Sequence, residues 1–183
     1  MRARGPGQSV LLLLDIAAVL AEQEIEYAVI GATAAAVHGS VRATLDADAL
    51  VSVSMSKLTQ LKGVLRKAGF NVDLRSGDAE DPIPALLAIS DRHGNRVDLL
   101  GGLRGLDKDA FSRSIAVPFQ GSSICVVGRE DFIAMKCFAG GPQDIADARC
   151  ALQAGQEPVN VDLLRRLARR FGRPAADALE QLL

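Results

Sequence analysis

The most constraining stretch of the chain is residues 27–53, YAVIGATAAAVHGSVRATLDADALVSV. It opens with a short apolar run at 27–30, then Gly31, then a turn of small residues at 32–37 that reads as a helix lying close to a sheet. A polar loop at 38–44 leads into a second apolar run, 45–53, that carries Asp46 and Asp48. Side chains of a strand alternate between its faces, so the two carboxylates share a face, roughly 6–7 Å apart. Two acids in an otherwise buried strand repel one another and lose hydration, and a divalent cation offsets both costs. Strand, glycine, helix and acidic strand in this order predict an α/β domain with a candidate metal site.

A third acid strengthens that reading. A hairpin is expected from strands at 84–90 and 96–100 around the turn Asp91-Arg92-His93-Gly94-Asn95, and Asp98 sits in the return strand between Val97 and Leu99. If that strand neighbours the first, Asp46, Asp48 and Asp98 form a carboxylate set suited to two Mg²⁺ ions, which take hard oxygen ligands and keep water or phosphate in their shell. Gly31 and Ala32, at a helix N-terminus, offer backbone N–H groups to a triphosphate. Ser40 and Arg42 lie in the loop before the metal strand, within reach of phosphates.

Around this centre the chain divides by pattern. Residues 1–8 are expected to be disordered, 9–128 to form the α/β core and 129–183 a helical C-terminal region. Ser9 is the expected cap of a first helix reaching about residue 23, and Ser54 or Ser56 of one ending at Gly69. Further strands are expected at 70–74, 112–119 and 122–127, the last two extending the sheet, and further helices at 129–140, 143–154, 161–171 and 174–182. The expected architecture is a mixed twisted sheet with helices on one side.

The net charge of −1 advertises no general nucleic-acid affinity, although 164–173, LRRLARRFGR, holds five arginines. That run reads best as an amphipathic helix with its arginines in water. Cys125, Cys137 and Cys150 show no metal spacing and, as an odd set in apolar segments, fit free thiols in a cytoplasmic protein. No apolar run reaches membrane-spanning length. His38 reads as a packed helix-end residue and His93 as a solvated turn residue.

The residues resemble the nucleotidyltransferase superfamily, the polymerase-beta-like fold. Its signature is an apolar residue, Gly, Gly or Ser, a gap, Asp-x-Asp or Asp-x-Glu, and an acid on a later strand. Here Ile30-Gly31-Ala32 is followed by a gap of 13 residues, 33–45, then Asp46-Ala47-Asp48 and later Asp98. Within the superfamily the chain is most similar to the AbiEii-type abortive-infection toxins, through Gly31, Ala34, His38-Gly39, Arg42, Thr44, Asp46 and Asp48. It also matches them through Lys136, Ala139-Gly140, Asp144 and Asp147. Together these cover about residues 26–152.

The resemblance implies transfer of a nucleoside monophosphate from an NTP to an acceptor hydroxyl with Mg²⁺, pyrophosphate leaving. Asp46 and Asp48 would hold metal, Asp98 would be ligand or base, and Lys136 would neutralise the triphosphate. Asp144 and Asp147 would orient Lys136 or touch the base. The acceptor stays open between tRNA or other RNA, a protein side chain and a small molecule such as an antibiotic. A cognate antitoxin is a possible partner, and a non-catalytic nucleotide- or partner-binding module is the alternative. Two departures bear on activity: Ala32 stands where the family has Gly or Ser, and Ala47 is smaller than the usual branched residue.

Overall fold

The computed structural model describes residues 2–78, 80–155 and 157–183. The chain runs α1 (Ser9–Glu22), β1 (Tyr27–Val29), α2 (Gly31–Val37), β2 (Asp46–Val51), α3 (Met55–Lys67), β3 (Asn71–Ser76), β4 (Ala85–Ser90) and β5 (Arg96–Leu100). After a 3-10 turn, Lys108–Ala110, come β6 (Ile115–Phe119), β7 (Ser122–Val126), α4 (Arg129–Ala139), α5 (Pro142–Gln153), α6 (Val161–Arg170) and α7 (Arg173–Glu180). Seven strands make one mixed sheet in the order β3-β4-β5-β2-β1-β7-β6. β2 and β5 run parallel, while β1–β2, β3–β4, β4–β5 and β6–β7 are antiparallel. The β6–β7 hairpin extends the sheet as expected, joined through the parallel bridge Val29 to Val126.

Alternation sorts the central strands into two faces. Ala47, Ala49, Val97 and Leu99 are buried on one of them. Gly101 continues that face, and a Cβ there would strike Leu58 of α3, so α3 lies against it. Leu100 belongs to the opposite face and lines a cleft with Phe132 and Met135 of α4. Helices therefore flank both faces, not one. The reason is that β5 is apolar at consecutive positions 99 and 100, so each face needs a cover. One apolar cluster joins α1, the central strands, Phe132 and Ile133 of α4, and Leu164 and Leu167 of α6.

Local signals explain most boundaries. Ser54 caps α3 by accepting from the Lys57 N–H at 3.3 Å, and Asn160 caps α6 by accepting from Leu163 at 3.0 Å. Gly140, with φ +70°, closes α4 in the left-handed conformation, and Pro142 opens α5.

Ser9 departs from expectation, because it is already helical and does not cap α1. Its hydroxyl donates to Leu45 O at 2.6 Å and accepts from the Arg96 N–H at 3.1 Å, tying α1 to the starts of β2 and β5. The stretch ahead of α1, expected to be disordered, is instead anchored, though Met1 lies outside the described residues. Ala3 is buried, the Gln8 N–H donates to Asn95 Oδ1 at 2.7 Å, and Asn95 Nδ2 donates to Gly5 O at 2.9 Å. These partners are some 90 positions away in sequence, so composition gave no sign of them. Among the described residues, no helix is long and apolar enough to cross a membrane.

Candidate active site

Gly31 turns the chain from β1 into α2, and its φ of +61° is a conformation L side chains rarely adopt. Ile30 N–H donates to Asp48 O at 2.9 Å, which draws this turn onto β2. A Cβ at Gly31 would run into Asp48 Oδ2. The glycine is thus required twice, by its backbone and by the acid beside it. Gly31→Ala is expected to destabilise the fold by about 1–3 kcal/mol and to displace the Asp48 carboxylate. Thermal melts would read the first effect, and a shift in the titration of Asp48 the second; a variant with unchanged melting and an unchanged Asp48 titration would contradict it.

β2 and β5 pair so that Asp48 stands opposite Asp98 and Asp46 opposite Arg96. All four side chains share one face. Burial pushes the Asp48 carboxyl up to about 6, and the charges of Asp46 and Asp98 push it the same way. Burial and Asp46 also raise Asp98, against the pull of Arg96 and Arg75. The Thr44 hydroxyl donates to Asp46 Oδ1 at 2.8 Å and turns that carboxylate back onto its own loop. Among the described residues, no three His, Cys, Asp or Glu side chains converge closely enough to hold an ion as they stand. The set still fits magnesium chemically: three hard oxygen donors on neighbouring strands, with a mutual repulsion that a cation removes.

The second cluster comes from α4, α5 and the loop before β2. Lys136 Nζ lies 2.7 Å from Asp144 Oδ1 and 3.0 Å from Asp147 Oδ2, and 5.6 Å from the centre of the Phe132 ring. Asp147 is 0% exposed. Ser40 Oγ and Gln143 Nε2 donate to its Oδ1 at 2.7 and 3.0 Å. Its Oδ2 makes no hydrogen bond of good geometry among the described residues, and what faces it is charge: Lys136, and Arg42 Nε at 3.7 Å. Burial pushes Asp147 up, but the hydrogen bond from Ser40, the Lys136 ammonium and the hydrogen bond from Gln143 together outweigh it and hold the carboxyl below its usual range. Ser40 and Arg42, expected near phosphates, are thus fastened to Asp147.

The two clusters meet at Asp48, whose carboxylate feels both Lys136 and Arg42. Beside them lies an apolar cleft of about 310 Å³ bounded by Gly31, Ile83, Leu103, Phe132, Phe138 and Lys136. His38 is buried against Phe132 at 5.1 Å, and its Nε2–H donates to Val127 O at 2.8 Å. Burial lowers its pKa, so it is a neutral packing group. Sequence reasoning passed over a further polar set, Asn71, Asp73, Arg75, Ser90 and Arg96, which shares a cleft with Asp46 and Asp98. The signal was present, since Asn71, Asp73 and Arg75 alternate with Val72 and Leu74.

No family model matches the chain, and neither does any curated protein. Solved structures do. The antibiotic-resistance factor ANT(2'')-Ia, studied in solution, matches with a TM-score of 0.62 at 14% identity, over 94% of this chain and 95% of that one. An antigenic nucleotidyltransferase-like protein from Paracoccidioides brasiliensis matches at 0.63 and 16%, over 98% and 89%. The lincosamide antibiotic adenylyltransferase LnuA, with lincomycin bound, matches at 0.51 and 10%, over 81% and 98%. The chain has the nucleotidyltransferase fold. At these identities the likeness establishes architecture, and function rests on the residues.

Proposed function

We propose that the protein is a Mg²⁺-dependent nucleotidyltransferase. The observation that carries this is the register of β2 on β5, which sets Asp48 against Asp98 with Asp46 on the same face, beside the Gly31 turn. Asp46, Asp48 and Asp98 would hold magnesium, which supplies positive charge to the reacting phosphates.

The chain's own groups divide the remaining work. The backbone at Gly31 and Ala32 lets the triphosphate approach closely, because no side chain intervenes at Gly31. Lys136 neutralises phosphate charge, held in place by Asp144 and Asp147 and helped by Arg42. The apolar cleft along Phe132 and Phe138 takes the nucleobase. Asp98, paired with Asp48 across β2 and β5, serves either as a ligand of that magnesium or as the base for the acceptor hydroxyl. The acceptor oxygen bonds to the α-phosphorus, the bond to the β-phosphate oxygen breaks, and pyrophosphate leaves.

The acceptor separates two readings. The AbiEii-type resemblance supports an RNA end, such as tRNA, and a cognate antitoxin. The fold likeness to LnuA and to ANT(2'')-Ia, the latter also solved with adenylyl-2''-tobramycin, supports a small antibiotic instead. The deciding assay incubates the protein with Mg²⁺ and each of the four labelled NTPs, offering total tRNA, an aminoglycoside, a lincosamide and the protein itself. Transfer is expected in one arm and is expected to vanish in the Asp46→Ala, Asp48→Ala double variant. Nucleotide binding without transfer in any arm would favour a non-catalytic binding module, and absence of both would remove the reading.

A further inference from the structure

Two cations, Lys136 and Arg42, face two carboxylates, Asp144 and Asp147, and the contacts are unequal. Lys136 donates to Asp144 Oδ1 at 2.7 Å and lies 3.0 Å from Asp147 Oδ2. Arg42 Nε stands 3.7 Å from that same Oδ2, beyond hydrogen-bonding distance. Oδ2 is buried and accepts no hydrogen bond among the described residues, whereas Oδ1 takes two, from Ser40 and Gln143. Buried polar atoms ordinarily find a partner. Asp147 therefore keeps one open acceptor position, with an arginine about an ångström short of it.

Arg42 has the freedom to close that gap. The N–H groups of residues 41–44 donate to no backbone carbonyl among the described residues. Val41 and Leu45, on either side, are 86% and 81% exposed, so neither a strand ladder nor the core holds this loop. Its near end is fixed at Ser40, whose N–H donates to Ala35 O at 2.8 Å and whose hydroxyl donates to Asp147. Its far end is fixed at β2.

A triphosphate that draws Lys136 to itself takes the lysine from both carboxylates. The Asp144 side chain is 28% exposed and water can replace the lysine there. Asp147 is 0% exposed, and a buried carboxylate stripped of its counter-ion is strongly destabilised. We infer that Arg42 is the relieving counter-ion: as Lys136 turns to the phosphates, Arg42 closes on Asp147 Oδ2. Arg42 is thus a positioning residue, and its help to the triphosphate runs through Asp147 and Lys136 without contact to phosphate. This rests on the nucleotidyltransferase reading, in which Lys136 meets the triphosphate, and it involves no covalent step.

The test measures the affinity of each of the four NTPs, with Mg²⁺, for the native chain, Arg42→Gln, Asp147→Asn and the double variant. Arg42→Gln is expected to weaken the preferred NTP about tenfold in the native background and less than about twofold in the Asp147→Asn background. Equal weakening in both would show that Arg42 touches phosphate itself and would overturn the inference. Hydrogen exchange at the Arg42 Nε–H, followed by ¹⁵N NMR, leaves Asp147 unaltered. In Lys136→Met the arginine should already be closed on Asp147. Its Nε–H should then exchange about tenfold more slowly than in the native chain before any nucleotide is added. Exchange that slows only on adding NTP, in Lys136→Met as in the native chain, would overturn the inference alone. Absence of Mg²⁺-dependent NTP binding by the native chain would remove the nucleotidyltransferase reading and the inference with it.

Discussion

Asp48→Asn is expected to make the protein more stable and inactive at once. The Asp48 carboxyl is held at about 6 in the folded chain, against an ordinary 3.8, by burial first and then by Asp46 and Asp98. A carboxyl raised on folding binds its proton more tightly in the native state. Its stabilising effect is therefore complete below 3.8 and is lost as the pH rises through 6. At about pH 7.5 the ionised Asp48 costs on the order of 2–3 kcal/mol.

Asparagine keeps the shape beside Gly31 and drops the charge. The melting temperature of the metal-free variant should exceed that of the native chain by about 3–8 °C near neutral pH, the gap closing as pH is lowered from 6 towards 4. Turnover should fall on the order of 10³-fold. Adding Mg²⁺ should raise the melting temperature of the native chain and leave the variant almost unmoved. Melts across pH, with and without Mg²⁺, check all of this. An asparagine variant that melts below the native chain at neutral pH would show that the carboxylate is compensated by something other than a cation.

The other large effect belongs to Asp147. Lys136 makes its shorter contact with Asp144, 2.7 Å against 3.0 Å, which suggests that Asp144 matters more. Burial reverses that order. The Asp144 side chain is 28% exposed, and its pair is partly screened by water, so Asp144→Ala should cost only about 1 kcal/mol. Asp147 is wholly buried and gathers Ser40, Gln143, Lys136 and Arg42. Asp147→Ala leaves those groups facing an empty, dry position and should cost about 3–5 kcal/mol. It should also release the loop carrying Ser40 and Arg42, so nucleotide affinity should fall along with stability. Denaturant melts of the two variants give the comparison directly, and equal losses would refute it.

What could be read beforehand follows the range of the interactions. Asp46, Asp48 and Asp98 were legible because period-two alternation and apolar flanks mark an acid in a strand, whatever lies around it. Gly31 was legible because strand, glycine and small-residue helix are contiguous. Lys136, Asp144 and Asp147 carried no such mark. Their spacing is that of any helix surface, and only the family resemblance singled them out. The polar side of β3 was passed over because an edge strand with alternating Asn71, Asp73 and Arg75 looks like one that merely faces water. The anchoring of 2–8 on Asn95 was beyond reach, since both partners are ordinary turn residues far apart in the chain.

The parallel pairing of β2 with β5 also fixes when the centre can exist. Asp48 and Asp98 are 50 positions apart, with α3, β3 and β4 between them. The β3–β4–β5 meander closes through short links and can form early, whereas docking β5 along β2 must close a long loop. During synthesis the first two acids leave the ribosome well before the third, and the partner of Lys136 emerges later still. A half-made chain therefore has no complete acid set and no anchored lysine, so the candidate site is assembled only when nearly all of the protein has been made.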